Sequence, residues 1–337
     1  MLSNNSPSPT LPPKPFAIAT RLNLSALSLF VSFLLTGPLP QAWAGTTGSW
    51  ETGPEAPTAR TEVAVAVLDG KIYVAGGFRR FGLTDRVEVF DPEKNTWETV
   101  APLPEARHHA GIGAAGGKLY VIGGFSGVFS WKPHDSVFEY DPGTGLWKEK
   151  RPMPTARGGL SVAEHGGKLY AVGGFNGKTN TGELEVYNPR EDSWKDLSPL
   201  PTPRDHLAAA AAGGKIHVIG GRIKSSYHEN LGTHEAYDLK GDQWITEAPL
   251  PTPRSGIAAG VWKDLIFVFG GESGEGTFDQ NEVYDPRTGL WETLPPMPTA
   301  RHGLGAAVLG DGIHVIAGGP KPGGAFSSRH EIFRLGK

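Results

Sequence analysis

The amino-acid sequence predicts an all-β protein built from six copies of one four-stranded unit, and three observations carry that reading. Chain breakers are abundant, with 47 Gly and 29 Pro in 337 residues. Aromatics are abundant as well, at 9 Trp, 15 Phe and 8 Tyr, which separates the chain from disordered Gly/Pro-rich sequences. Short strands joined by tight turns need both. Third, markers recur in one phase. Glycine pairs fall at 76–77, 123–124, 173–174, 220–221, 270–271 and 318–319, in steps of 47, 50, 47, 50 and 48. Trp50, Trp97, Trp147, Trp194, Trp244 and Trp291 step by 47, 50, 47, 50 and 47. Arg60, Arg107, Arg157, Arg204, Arg254 and Arg301 follow Pro-rich turns with the same steps as the tryptophans.

The elements follow in chain order. Residues 1–21 are polar, with Lys14 and Arg21 as their only charges. An apolar run from Leu22 to Thr36 comes next, then the breaker Gly37-Pro38-Leu39-Pro40 and Ala42-Trp43-Ala44. This is the order of a secretory signal peptide, and the run is shorter than the ~20 residues of a spanning helix. Residues 1–44 are therefore expected to be removed after Ala44. The remainder, 45–337, would be a single domain exported to a periplasmic or extracellular space, touching a membrane only transiently.

Each unit opens after its Arg with a small-residue strand, such as Ala64–Val67 or Ala208–Ala211. A hairpin turn such as Asp69-Gly70 follows. The second strand is a near-continuous apolar run, as in Lys71–Ala75, Lys118–Ile122 and Leu265–Phe269, which predicts burial on both faces. The glycine pair ends it. The third strand runs into an aromatic (Phe90, Tyr140, Tyr187, Tyr237, Tyr284, Phe333), and the fourth carries the Trp. Trp50 precedes the first Arg, and the last unit stops after its third strand. Residues 49–53 are accordingly expected to supply the outer strand of the blade formed by 302–334.

The set Gly123-Gly124, Tyr140-Asp141-Pro142, Trp147, Pro152-Met153-Pro154 and Arg157 resembles the Kelch repeat, and the resemblance spans 49–334. It implies a six-bladed β-propeller, four antiparallel strands to a blade, with radial sheets around a channel. It also implies that the loops before the first strand and after the second share one face, the usual ligand face.

Residues present in every unit serve what every blade needs; departures from the repeat point to a site. After each Arg the next two residues read Thr61-Glu62, His108-His109, Gly158-Gly159, Asp205-His206, Ser255-Gly256 and His302-Gly303. Histidines and carboxylates converging on a pocket suit acid–base work or metal binding. The longer loops add Trp131 and Tyr227 as stacking surfaces. Candidate ligand-binding residues are thus Glu62, His108, His109, Trp131, Asp205, His206, Tyr227 and His302, together with the repeat arginines Arg60, Arg107, Arg157, Arg204, Arg254 and Arg301. No metal site, catalytic residue or cofactor is assigned.

A net charge of −3 disfavours nucleic acid as a partner. With no Cys, disulfides and thiol nucleophiles are excluded, as is the cysteine-linked copper chemistry of galactose-oxidase-like relatives. The iron-binding Glu-x3-Asp-x3-His pattern of the Kelch specifier proteins fails here, since Glu275 and Asp279 are followed by Val283. The expected function is a monomeric, exported binding module whose loop face recognises a peptide, protein or glycan. The alternative is a small-molecule Kelch enzyme resembling the sialic-acid mutarotases. An enzyme would show a closed pocket with histidines bonded to carboxylates, a binding module an open mouth.

Overall fold

The structure, a computed structural model, describes residues 48–224 and 226–336. The expected signal segment and its cleavage position lie outside the described residues. Among those described there is no helix long and apolar enough to cross a membrane, and six four-stranded antiparallel sheets account for the fold. Blade 1 comprises Ala64–Leu68, Lys71–Ala75, Val87–Asp91 and Thr96–Val100. Blades 2 to 5 repeat this order, opening with Gly111–Ala115, Ser161–His165, Ala208–Ala212 and Ala258–Trp262. Blade 6 holds Gly305–Leu309, Gly312–Ile316 and His330–Leu335. Its outermost strand is Gly48–Thr52, antiparallel to His330–Leu335 with Trp50 opposite Phe333.

The innermost strands are rich in Ala and Gly because six of them converge on one axis. Large side chains there would collide, so bulk sits further out. Apolar clusters fill the wedges between neighbouring blades. One joins Tyr73 and Val89 of blade 1 to Leu119 and Tyr140 of blade 2, and another joins Ile72 and Phe90 of blade 1 to Ile316 of blade 6. Each of the six repeat Trp indole N–H groups donates to a backbone carbonyl in the chain segment leading in from the preceding blade, as Trp97 does to Pro54 (2.8 Å) and Trp50 to Pro295 (2.9 Å). The amphipathic ring fills the wedge while its polar tip is satisfied.

The second glycine of each pair has a structural duty. Its N–H donates to the carbonyl of the next blade's repeat arginine, from Gly77 to Arg107 (2.7 Å) around to Gly318 and Arg60 (2.8 Å). Backbone at this spacing leaves no room for a side chain: a Cβ on Gly77 would lie 2.6 Å from the Thr61 carbonyl. The sixth pair shifts by one residue relative to the sequence reading. Gly318 takes the second place, so Ala317, at φ 59°, stands where the other blades have the first glycine. The irregular step of 48 is thereby removed.

The repeat arginines are framework. Arg60, Arg157, Arg204, Arg254 and Arg301 are fully buried. Each pairs with a glutamate on the third strand of its own blade: Glu88 (2.7 Å), Glu185 (2.5 Å), Glu235 (2.5 Å), Glu282 and Glu331 (2.6 Å). Further donors reach second-strand carbonyls, such as Val74 for Arg60 and Val218 for Arg204. Buried charge is tolerated where it is paired and hydrogen-bonded in this way. Blade 2 differs by a compensating exchange. Phe138 replaces the glutamate, and Glu105, where the other blades have Thr, supplies the carboxylate for Arg107 instead. The expectation that these six arginines face a ligand is corrected on this ground.

Candidate functional site

Six short loops meet at one mouth of the channel, and a ring of backbone hydrogen bonds ties them together. The residue two after each repeat arginine donates its N–H to the carbonyl of its counterpart in the preceding blade. The bonds run His109 to Glu62, Gly159 to His109, His206 to Gly159, Gly256 to His206, Gly303 to Gly256 and Glu62 to Gly303, at 2.7–3.2 Å. All six residues are left-handed. Three are glycines, and the others are Glu62, His109 and His206, at φ 54°, 53° and 53°. Left-handed backbone disfavours non-glycine residues by roughly 1–2 kcal/mol. Three blades therefore carry a reactive side chain at a conformational cost that the other three avoid, a pattern typical of functional positions.

A second layer comes from bridges between the residue after each arginine and the residue after each glycine pair. Thr61 bridges Phe78, His108 bridges Phe125, Asp205 bridges Arg222, Ser255 bridges Glu272 and His302 bridges Gly319. Sequence reasoning passed over Phe78, Arg222 and Glu272. Their signal was present, because the position after the glycine pair reads Phe78, Phe125, Phe175, Arg222, Glu272 and Gly319. It reads Phe in blades 1 to 3, Phe78 included, and departs from that in blades 4, 5 and 6 as Arg222, Glu272 and Gly319.

These layers line a cavity of about 320 Å³ that opens at the mouth, and its lining includes Glu62, Phe78, Trp131, His206, Arg222 and Glu272. His109, Tyr227 and His302 also face it. His108 and Asp205 are buried behind it. The repeat arginines are absent from its wall. On one side His109 packs against Trp131 with ring centroids 4.8 Å apart and planes inclined at 42°, and Phe78 lies 6.3 Å from the same indole. Opposite, the Arg222 guanidinium sits 4.7 Å over the Tyr227 ring.

A continuous polar chain crosses the floor. His109 Nε2 lies 3.1 Å from Glu62, whose other oxygen is 3.1 Å from His302 Nδ1. His302 Nδ1 is also 3.3 Å from Glu272, and Glu272 accepts from Arg222 at 2.9 Å. Arg222 then reaches Asp205 (3.3 Å) and His206 Nε2 (2.8 Å), while Asp205 holds His206 Nδ1 at 2.5 Å. Burial pushes the Glu62 carboxyl up, but His109 and the hydrogen bond from His302 outweigh it, leaving the group well below the ordinary carboxylate range. Burial pulls His302 down, yet Glu62 and Glu272 together raise it above the ordinary imidazole value. His109 has no such surplus of carboxylate, and burial holds it well below that value. The floor thus combines one imidazole shifted towards its charged form, one shifted towards its neutral form, carboxylates and a guanidinium within one small space. Below it the channel narrows to a cavity of about 160 Å³ walled by the inner strands.

Six radial sheets closed around a channel, with a polar cavity set into one mouth, define a β-propeller whose site is built from blade loops. The chain belongs to the Kelch-repeat family: the family model described as the KLHDC2/KLHL20/DRC7 Kelch-repeats domain matches residues 41–174 and 149–319. Among solved structures, that of YjhT superposes with a TM-score of 0.73 at 19% identity, covering 83% of this chain and 96% of that one. No curated protein matches the chain.

Proposed function

We propose that this Kelch propeller is a binding module whose mouth cavity receives a small polyhydroxylated ligand, a free sugar or the terminal residue of a glycan. One observation carries the reading: an aromatic wall, Phe78 and Trp131, stands over a floor of carboxylates, imidazoles and a guanidinium in a cavity of about 320 Å³. Sugars present apolar C–H faces that pack on aromatic rings and hydroxyl edges that need fixed donors and acceptors. The cavity is of ligand size. A protein or peptide partner would be met through a side chain of similar size entering the same mouth. Export, inferred from the first 44 residues, belongs to the same proposal, and the mass of the secreted chain tests it through a start at Gly45.

A second reading is a small-molecule enzyme acting on such a ligand. It is favoured by the histidine–carboxylate pairs His109–Glu62, His206–Asp205 and His302–Glu272, the arrangement expected of acid–base chemistry. A melting-shift series with neutral and acidic monosaccharides tests the first reading. A ligand at 100 times its Kd stabilises the native state by about 2.7 kcal/mol. Trp131→Ala is expected to abolish the shift while leaving the unliganded midpoint nearly unchanged, because Trp131 is 40% exposed. If no sugar shifts the melt, the sugar reading fails. If a sugar binds, exchange between its anomers followed by NMR, with and without His206→Gln, separates binder from enzyme.

A further inference from the structure

We infer that Glu62, His109 and His206 form a binding site for one divalent transition-metal ion at the floor of the mouth cavity. One ligand atom from each lies within 4.8 Å of the other two. The residues come from three different blades, and the left-handed backbone ring fixes all three. His109 Nε2 and Glu62 already sit 3.1 Å apart, the separation that two bonds of ~2.0–2.2 Å to one ion produce.

The stronger argument lies behind the ligands. A metal-binding imidazole engages its outer nitrogen with a partner that orients the ring. Both histidines do so here. His206 Nδ1 is held by Asp205 at 2.5 Å, and His109 Nδ1 meets His108 Nδ1. The Nε2 atoms are left facing the channel mouth. His206 Nε2 now accepts from Arg222, and ion binding would displace that one contact. Arg222 keeps Glu272 at 2.9 Å and Asp205 at 3.3 Å. Glycines occupy the equivalent ring positions in blades 3, 5 and 6, so no protein side chain from them closes the coordination sphere. Two imidazoles and one carboxylate suit Zn²⁺, Co²⁺ or Ni²⁺ rather than Ca²⁺ or Mg²⁺. The overlapping set Glu62, Glu272 and His302 is the weaker choice, because His302 Nδ1 already lies between both carboxylates, at 3.1 and 3.3 Å.

This inference is independent of the sugar reading, since the metal alone is the probe. Tag-free full-length protein, stripped with chelator, is titrated with Co²⁺ and Zn²⁺ by calorimetry and by Co²⁺ visible absorption. One saturable site per chain is expected. His109→Gln, His206→Gln and Glu62→Gln should each weaken it by at least about 100-fold and Asp205→Asn by about 10-fold, while Glu272→Gln, which only loosens Arg222, weakens it by less than about 10-fold. Melts in chelator establish that each variant folds. Should any fail to fold, NMR of the wild-type Co²⁺ form decides the matter. Two hyperfine-shifted, exchangeable imidazole N–H signals support the site, and one or none overturns it. The proposal also falls if the wild type shows no saturable binding, if both histidine variants bind normally, or if Glu272→Gln weakens binding as much as they do.

Discussion

At the scale of the residue, the fold separates two kinds of conserved geometry with different chemistry. The buried arginines satisfy nearly all their donors within their own blades, so their charge organises backbone and does not meet ligand. The left-handed ring positions do the reverse, since the backbone is held by neighbouring blades and the side chain is left free to vary. This makes a prediction at His109. His109→Gly relieves the left-handed strain, whereas His109→Ala removes the imidazole and keeps the strain. The glycine variant should therefore be the more stable by about 1 kcal/mol, read from urea midpoints. An alanine variant as stable as the glycine variant would show the strain to be absent. His109 and His206 are both buried in this ring, at 8% exposure each.

At the scale of the element, the second and third strands carry a feature unrelated to the mouth. His217 pairs with His234 (2.9 Å) and His314 with His330 (2.7 Å), buried where other blades place Tyr, Phe, Val, Leu or Asn. The chain of bonds ends on carbonyls, Ala248 for His234 and Pro54 for His330. Burial lowers these groups to about 4, 3, 3 and 4 for His217, His234, His314 and His330. Their folded values lie below the unfolded value near 6.5, so the unfolded chain binds more protons as pH falls. Stability is fully present above about pH 7.5 and declines between roughly 6.5 and 4, by up to about 1.4 kcal/mol per pH unit for each histidine. His302, raised in the folded state, works in the opposite sense. Replacing the pairs as blade 3 does, with His217→Tyr, His234→Leu, His314→Tyr and His330→Leu, should flatten the dependence of the urea midpoint between pH 7.5 and 5. An undiminished slope in that variant would assign the acid sensitivity elsewhere.

At the scale of the whole molecule, the ring is held by one repeated set of contacts, and one of its blades is made from both ends of the described chain. Gly48–Thr52 contributes five backbone pairings to the last blade. Trp50 packs against Phe333 and Phe269 with centroids 5.1 and 5.9 Å away. Deleting residues 1–53 should lower the thermal midpoint far below that of a chain lacking only 1–44, and Trp50→Ala should cost about 2 kcal/mol or more. Equal midpoints for the two deletions would mean that the strand does not secure the ring.

The repeat, the four strands of each unit and the six blades were legible in the amino-acid sequence, because backbone pairing and wedge filling impose the same residues every 47 to 50 positions. So were six residues of the mouth: Glu62, His109, Trp131, His206, Tyr227 and His302 stand out as departures from that period. What sequence alone misassigned was direction. The arginines sit beside the site residues in the chain, yet turn inward because a glutamate some thirty positions later draws them into the blade. Phe78, Arg222 and Glu272 enter the site only because a bridge folds the loop after each glycine pair onto the loop after each arginine. Periodicity reports what every blade shares. Which side chains converge from different blades is set by ring closure, and that exists only in three dimensions.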